Sequence, residues 1–167
     1  MIKLKVDANK IRDIVLNKRR LKAASEKLAQ LIKAHVVYGQ DCNGTPFAPL
    51  DYKRLDGSTE NPLLATGKHL LKSIHGFTTR YSFGVGTNFI GARIHQYGTV
   101  GKGGTMPTIR PKKGRSLRIP VYAGEKNGKP QKDHVYADHA DIHPRPFFSI
   151  SDEEIRDVIR AFNDANK

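Results

Sequence analysis

Catalysis needs groups of defined type brought to one place, and the candidates in this chain are few. Cys42 is the single cysteine, so it can form neither an internal disulfide nor a thiolate zinc site. It lies in the turn-forming run Asp41-Cys42-Asn43-Gly44, with no base beside it to activate a thiolate. His134, His139 and His143, with Asp138 and Asp141, supply nitrogen and oxygen donors of the kind zinc or iron takes. Their spacing fits no common metal motif, and the intervening Ala137, Ala140 and Ile142 suggest turn packing. A metal-dependent nuclease would need convergent carboxylates around one or two ions, and no such set is visible. His95, in Ile94-His95-Gln96-Tyr97-Gly98, has no Ser, Cys or carboxylate neighbour to work with and reads as a structural imidazole at a strand end. Gly84-Val85-Gly86 lacks the third glycine and following helix of a phosphate cradle. Thr66-Gly67-Lys68 lacks the upstream glycine of a P-loop. We therefore expect no catalytic residue, no metal and no cofactor.

Charge is the stronger signal. Twenty-nine Lys+Arg stand against 16 Asp+Glu, a net +13, and the pI is near 10.0, so the chain should attract polyanions, whether nucleic acid or an acidic protein surface. The densest candidates are Lys112, Lys113, Arg115 and Arg118 on a prospective hairpin, positioned to track phosphates, with Tyr122 available to stack. There is no zinc-finger or helix-turn-helix pattern and no basic–aromatic interleaving, so any DNA contact should be weak and non-specific. No run approaches the ~18 apolar residues of a membrane span. The start, Met1 to Asp7, lacks the apolar core and cleavage site of a signal peptide. A location in a cytoplasm, or inside a particle assembled there, is expected.

The elements that would position these groups read as one α+β domain over residues 1–167. Ile2, Leu4 and Val6 alternate as a short strand. From Asn9 to Tyr38 apolar residues recur at three- and four-residue steps (Ile11, Ile14, Val15, Leu21, Ala24, Leu28, Leu31, Ile32, Val36), which predicts a long helix with one basic face, stopped by Gly39. Residues 40–62 are rich in turn formers, with an apolar knot at Pro46 to Leu50 that must pack on something. A short helix is expected over Thr66–His75. Residues 77–137 read as β-structure: Tyr81–Val85, then Ala92–Tyr97 as a second extended run, a mobile glycine-rich tip at Gly98–Gly104, an extended Thr108–Arg110, a basic turn at 111–115, a strand at Ser116–Tyr122, a loop over 124–132 and a returning strand at His134–Ala137. Ser151 with Glu154 predicts a capping box, and Ile155, Val158, Ile159 and Phe162 an amphipathic C-terminal helix.

Read in order, four segments resemble the phage virion morphogenesis (tail-completion) family typified by Mu-like phages, and more distantly the tail-component proteins of siphophages. Asp41 to Leu50 resembles the family's D-x-G-x-P-W-x-P-L, with Phe47 in the aromatic place. Leu64-Ala65-Thr66-Gly67-Lys68-His69-Leu70-Leu71-Lys72-Ser73-Ile74 resembles L-x-T-G-x-L-x-x-S-I, one residue longer. Val85-Gly86-Thr87-Asn88 with Ala92-x-Ile94-His95-Gln96-Tyr97-Gly98 resembles V-G-T-N…Y-A-x-I-H-Q-F-G, and Ile142 to Ser151 resembles I-P-A-R-P-F-L-G-L-S. His143-Pro144 replaces the usual Pro-Ala, and Thr99 to Asp141 forms a long basic insert. The chain thus divides into an N-terminal strand and helix (1–39), a family-like core (40–151, insert 99–141) and a C-terminal helix (152–167).

The resemblance implies a small structural subunit without enzymatic activity, placed in the virion at the tail end or the neck and assembled in the host bacterial cytoplasm. Its partners would be copies of itself, in a ring that follows the particle's rotational symmetry, and other tail or neck proteins, with no membrane. The residues carrying the resemblance are candidates for defining the fold or meeting other subunits: Phe47, Pro49, Leu50, Thr66, Gly67, His95, Gln96, Tyr97, Gly98, Arg145, Pro146 and Phe147. The rival reading is a non-specific nucleic-acid-binding protein, in its strongest form a metal-dependent nuclease.

Overall fold

The structure, a computed structural model, describes residues 2–7, 18–50, 63, 69–126 and 129–165. The chain is mixed α+β. Its order is β1 (Ile2–Asp7), α1 (Lys18–Tyr38), α2 (His69–Ser73), β2 (Ile74–Thr78), β3 (Ser82–Thr87), α3 (Ala92–Tyr97), a 3-10 turn at Val100–Lys102, β4 (Leu117–Lys126), β5 (Lys129–Ala137) and α4 (Asp152–Asp164). β1, β3 and β2 form an antiparallel sheet with β3 central, Val85 lying between Leu4 and Gly76. β4 and β5 form a separate two-stranded ribbon.

The apolar stripe of α1 drives the packing. Leu21, Ala24, Leu28, Ile32 and Val36 are essentially buried, at the three- and four-residue steps expected of one helix face. They meet Ile74 of β2, Phe83 and Val85 of β3, Leu70 of α2, and Val158 and Phe162 of α4 in one core. Each Val, Leu, Ile or Phe side chain among them contributes roughly 1.5–3 kcal/mol when it leaves water. Helix and sheet approach closely because the contact residues are small: a Cβ on Gly76 would lie 2.6 Å from the carbonyl oxygen of Ser25.

α4 runs antiparallel to α1, and polar links fix its position along that helix. Ser151 and Glu154 form the capping box. The Oε2 of Glu154 accepts from the Ser151 backbone N–H (2.9 Å), while its Oε1 accepts from Nε2 of buried His35 on α1 (2.7 Å). Lys27 and Asp157 pair at 3.7 Å, and the Arg20 guanidinium lies 5.8 Å from the centre of the Phe162 ring.

Sequence expectations hold for β1, the Gly39 stop, the basic turn and the capped last helix. Gly39 takes φ 70° and its N–H bonds to the His35 carbonyl. The part of the long helix at residues 9–17 lies outside the described residues. Four expectations are corrected. Ala92–Tyr97 is a helix, not an extended run: His95 N–H bonds to Gly91 O, and Gly98 N–H to Ile94 O. Six residues cover too few turns for periodicity to separate the two states. The helix expected over Thr66–His75 is confined to His69–Ser73 among the described residues, and Ile74 and His75 already pair with β3. Residues 124–132 are not mainly loop, because both strands of the ribbon extend into them, with an irregularity between Tyr122 and Glu125.

The glycine-rich stretch Gly98–Gly104 is packed rather than free. It holds the 3-10 turn and a fully buried Thr99, and Cβ atoms on Gly98, Gly101 or Gly104 would strike Pro144, Asp141 and the 97–98 backbone, respectively. These glycines serve close approach.

Gly76→Ala should destabilise the protein by about 1–3 kcal/mol, since the new methyl group forces α1 off the sheet. The shift in the urea unfolding midpoint measures this, and an unchanged midpoint would show that the close approach carries no constraint.

Candidate functional site

Most of the residues singled out from sequence converge on the extended segment Pro144–Phe148, which runs between α3 and the loop after α1. Proline at 144 and 146 restricts φ and disfavours helix in the residues before it, so the segment enters α4 extended. The Arg145 N–H bonds to His95 O at 2.7 Å, and the Phe148 N–H to the Gln96 side-chain oxygen at 2.9 Å. The Arg145 side chain is 3% exposed; its Nε donates to Ala48 O (2.9 Å), Nη2 to Pro49 O (2.9 Å) and Nη1 to His143 O (3.3 Å). One guanidinium therefore ties the 41–50 loop to the approach of the last helix. Its planar fork reaches carbonyls in different directions, which an ammonium cannot do as well.

Phe147 is fully buried and stacks edge-on against Phe148, with ring centres 5.1 Å apart at 73°. The Phe147 carbonyl faces Nδ1 of His35 at 3.2 Å. Both partners of the His35 ring are acceptors, so both bonds form only when each ring nitrogen carries a proton. Phe47 is buried, and its N–H bonds to Gly39 O at 2.8 Å, which closes the loop onto the end of α1. Within that loop Asp41 Oδ1 accepts from the backbone N–H of Asn43 and of Thr45.

His95 is on α3, not at a strand end. Its Nδ1 is buried, with no hydrogen-bond partner among the described residues. Burial, and secondarily the positive charge of Arg145, push its pKa down from 6.5 to about 4. A neutral ring beside a buried guanidinium avoids placing two positive charges together.

The other candidates are placed differently. Gly98 is buried at φ 60°, with its hypothetical Cβ 2.4 Å from the Pro144 nitrogen, so the turn after α3 depends on glycine. Tyr97 is 45% exposed, Pro49 and Pro146 are exposed, and Leu50 is half-buried. Thr66 and Gly67 lie outside the described residues.

The two ends of the basic insert meet. Thr99 N–H bonds to Ile142 O (2.8 Å), and its hydroxyl donates to Asp141 Oδ1 (2.7 Å). Thr99 had no signal in the sequence beyond its place beside glycines. The hydroxyls of Thr99 and Thr108 hold the Asp141 carboxyl below the usual carboxylate range.

Lys112, Lys113, Arg115 and Arg118 are exposed around the root of the ribbon, and an Arg118 nitrogen lies 3.3 Å from His134 Nδ1. The side chain of Tyr122 lies outside the described residues. Among the described residues no group of three or more His, Cys, Asp or Glu is arranged to hold a metal ion. His139 places Asp138 against Nδ1 (2.6 Å) and Asp141 near Nε2 (3.9 Å), on opposite sides of its ring. This gives one imidazole between two carboxylates rather than a shared donor set. Among the described residues no helix is long and apolar enough to cross a membrane.

Two predictions follow from the Arg145 and His95 geometry. Arg145→Met should cost roughly 2–4 kcal/mol, because the carbonyls it serves lose their donor; chemical denaturation measures the loss. The His95 pKa is lower in the folded chain than in the unfolded one, so acid favours unfolding. Its contribution is fully present above about pH 6.5 and is lost as pH falls towards about 4. The loss amounts to at most about 3 kcal/mol. His95→Asn should flatten that part of the stability–pH curve, with all other titrating groups common to both proteins; parallel curves would refute the assignment.

A profile of the phage virion morphogenesis family matches residues 4–163. No protein of curated function and no solved structure matches the chain. The match takes in all four motif segments and the polar links between them, and it includes the insert. With nearly the whole length covered, the chain belongs to the phage virion morphogenesis family, and its role is structural, in virion assembly.

Proposed function

We propose that the protein is a tail-completion or head–tail joining subunit that works by assembling with copies of itself and with tail or neck proteins, not by turning over a substrate. The observation that supports this reading most is how the recognisable residues are used. Arg145, Gln96, Gly98, Phe47 and Phe147 spend their polar and apolar groups holding four distant segments together. Such a node makes a rigid body, and a rigid body is what a particle joint requires. Function then resides on outer surfaces, where this chain carries its positive charge. A closed ring is the arrangement that fits a rotationally symmetric tail or neck. In this reading the protein is assembled in the bacterial cytoplasm and ends in the virion.

A second reading, non-specific binding to DNA, is favoured by the exposed basic turn at Lys112, Lys113 and Arg115. The two readings separate on mass and salt dependence. Light scattering on a sizing column, with negative-stain images of any large peak, should reveal a discrete multi-subunit species for the assembly subunit, formed alone or on addition of a tail or neck protein. A chain that stays monomeric in both situations, yet retains duplex DNA with a steep salt dependence, would establish the second reading. DNA cleavage abolished by a chelator would extend it to a nuclease.

A further inference from the structure

The ribbon β4–β5 stands apart from the rest of the fold: its strands pair with each other, and neither packs substantially on the helices or on the three-stranded sheet. Successive residues of a strand point to opposite faces, so the register sorts the ribbon's chemistry into two sides. On one side Leu117 pairs with Ala137 and Ile119 with Val135, all apolar. On the other Arg118 pairs with Tyr136 and Pro120 with His134, and the pair Tyr122–Lys132 follows at the same parity. Arg118 is exposed and Tyr136 is 65% exposed, so a cation and an aromatic ring stand open side by side. A nitrogen of Arg118 lies 3.3 Å from Nδ1 of His134. A guanidinium only donates, so the ring nitrogen is the acceptor and the contact lays Arg118 across the two strands.

Among the described residues no carboxylate pairs with Arg118 or with Lys112, Lys113 and Arg115 of the adjoining turn, whereas Lys22, Lys27 and Arg160 on the helices each have one. Of the nearby acids, Asp133 belongs to the other parity, opposite Val121, and Asp138, past the end of β5, is bonded to His139. Between Arg110 and Tyr136 the sequence carries eight Lys+Arg and two acids, a net +6. From Leu117 to Tyr122 the ribbon extends roughly 17 Å. Over that length duplex DNA presents about ten phosphate charges in a regular array. An even line of charge suits cations strung along an extended element, and the sugars between the phosphates give the Tyr136 ring an apolar surface to lie on.

We propose that the Arg118–Tyr136 side of the ribbon lies along the phosphate backbone of duplex DNA, with the Ile119–Val135 side turned away. Phosphate contacts position a protein without reading bases, so the contact is independent of sequence. It rests on the DNA-binding reading above and extends it from the basic turn to a defined face, and a ring-forming chain can make it as readily as a monomer.

Fluorescence anisotropy of a labelled duplex of about 30 base pairs, titrated with the full-length protein at several salt concentrations, tests it. Affinity of the wild type should fall steeply with salt, with a log–log slope of about −0.9 for each phosphate neutralised. Arg118→Ser/Tyr136→Ser should weaken binding roughly tenfold and make the slope shallower by about one. Ile119→Ser/Val135→Ser, on the opposite side, should leave affinity and slope unchanged. Circular dichroism melts establish that each variant is folded. If the double substitution disturbs the ribbon, Arg118→Gln alone replaces it and should still make the slope shallower. A wild type that binds no duplex at low salt overturns the DNA reading and this contact with it. Binding lost on Lys112→Glu/Lys113→Glu/Arg115→Glu yet unchanged by Arg118→Ser/Tyr136→Ser leaves that reading standing and overturns the face. Equal losses from the two sides overturn it too. Displacement of the duplex by polyglutamate at equal charge concentration reassigns the face to an acidic protein surface.

Discussion

A guanidinium removed from water must have its donors met, and Arg145 meets this requirement with carbonyls from two separate parts of the chain. That condition fixes more than the arginine. The Ala48 and Pro49 carbonyls can face Arg145 only if the 41–50 loop is closed, which Asp41 accomplishes by accepting from Asn43 and Thr45. The Arg145 backbone reaches His95 O only if α3 is helical and Gly98 turns the chain away at positive φ. Phe147 then enters the core at the place that aligns His35 with the cap of α4. Loop, helix, turn and last helix thus share one geometric condition.

Burial and the same charge together act on the nearest imidazole. His95 beside it is kept neutral by desolvation first and by Arg145 second. His35, farther along the segment, instead faces a carbonyl and a carboxylate. Two imidazoles within one network thus meet opposite environments: one has a cation for a neighbour and the other an anion. Such an arrangement tolerates few substitutions, since removing one partner leaves another buried polar group unmet. Each group in the segment is thereby tied to the others by the requirements of the fold.

The elements most legible in the sequence were those with long periods or explicit chemistry. The stripe of α1 and the capping box of α4 were readable because several turns of 3.6-residue spacing, or a Ser with Glu three residues on, admit few other meanings. The convergence on Pro144–Phe148 was legible only as an order of motifs; hydrogen bonds between residues about a hundred positions apart leave no local pattern. Ala92–Tyr97 reads as a strand in the sequence because it is shorter than two helical turns. The glycine stretch reads as a free tip because the approach of Gly101 to Asp141 and of Gly104 to the 97–98 backbone shows only in tertiary structure. Propensity describes what a glycine permits, not what its neighbours demand.

The meeting of Thr99 with Asp141 and Ile142 separates two regimes of the molecule. On one side lies a core in which nearly every polar group is committed and small changes propagate. On the other is an excursion that leaves and returns through one buried threonine. Its ribbon has exposed faces and a strong positive charge. Because the excursion closes on itself at its root, its charge can change without disturbing the hydrogen bonds of Arg145. The division separates a core that holds the subunit's shape from a ribbon whose surface can change independently. Length and charge in such an excursion can vary at low cost to folding, so the surface it presents and foldability are under separate physical control.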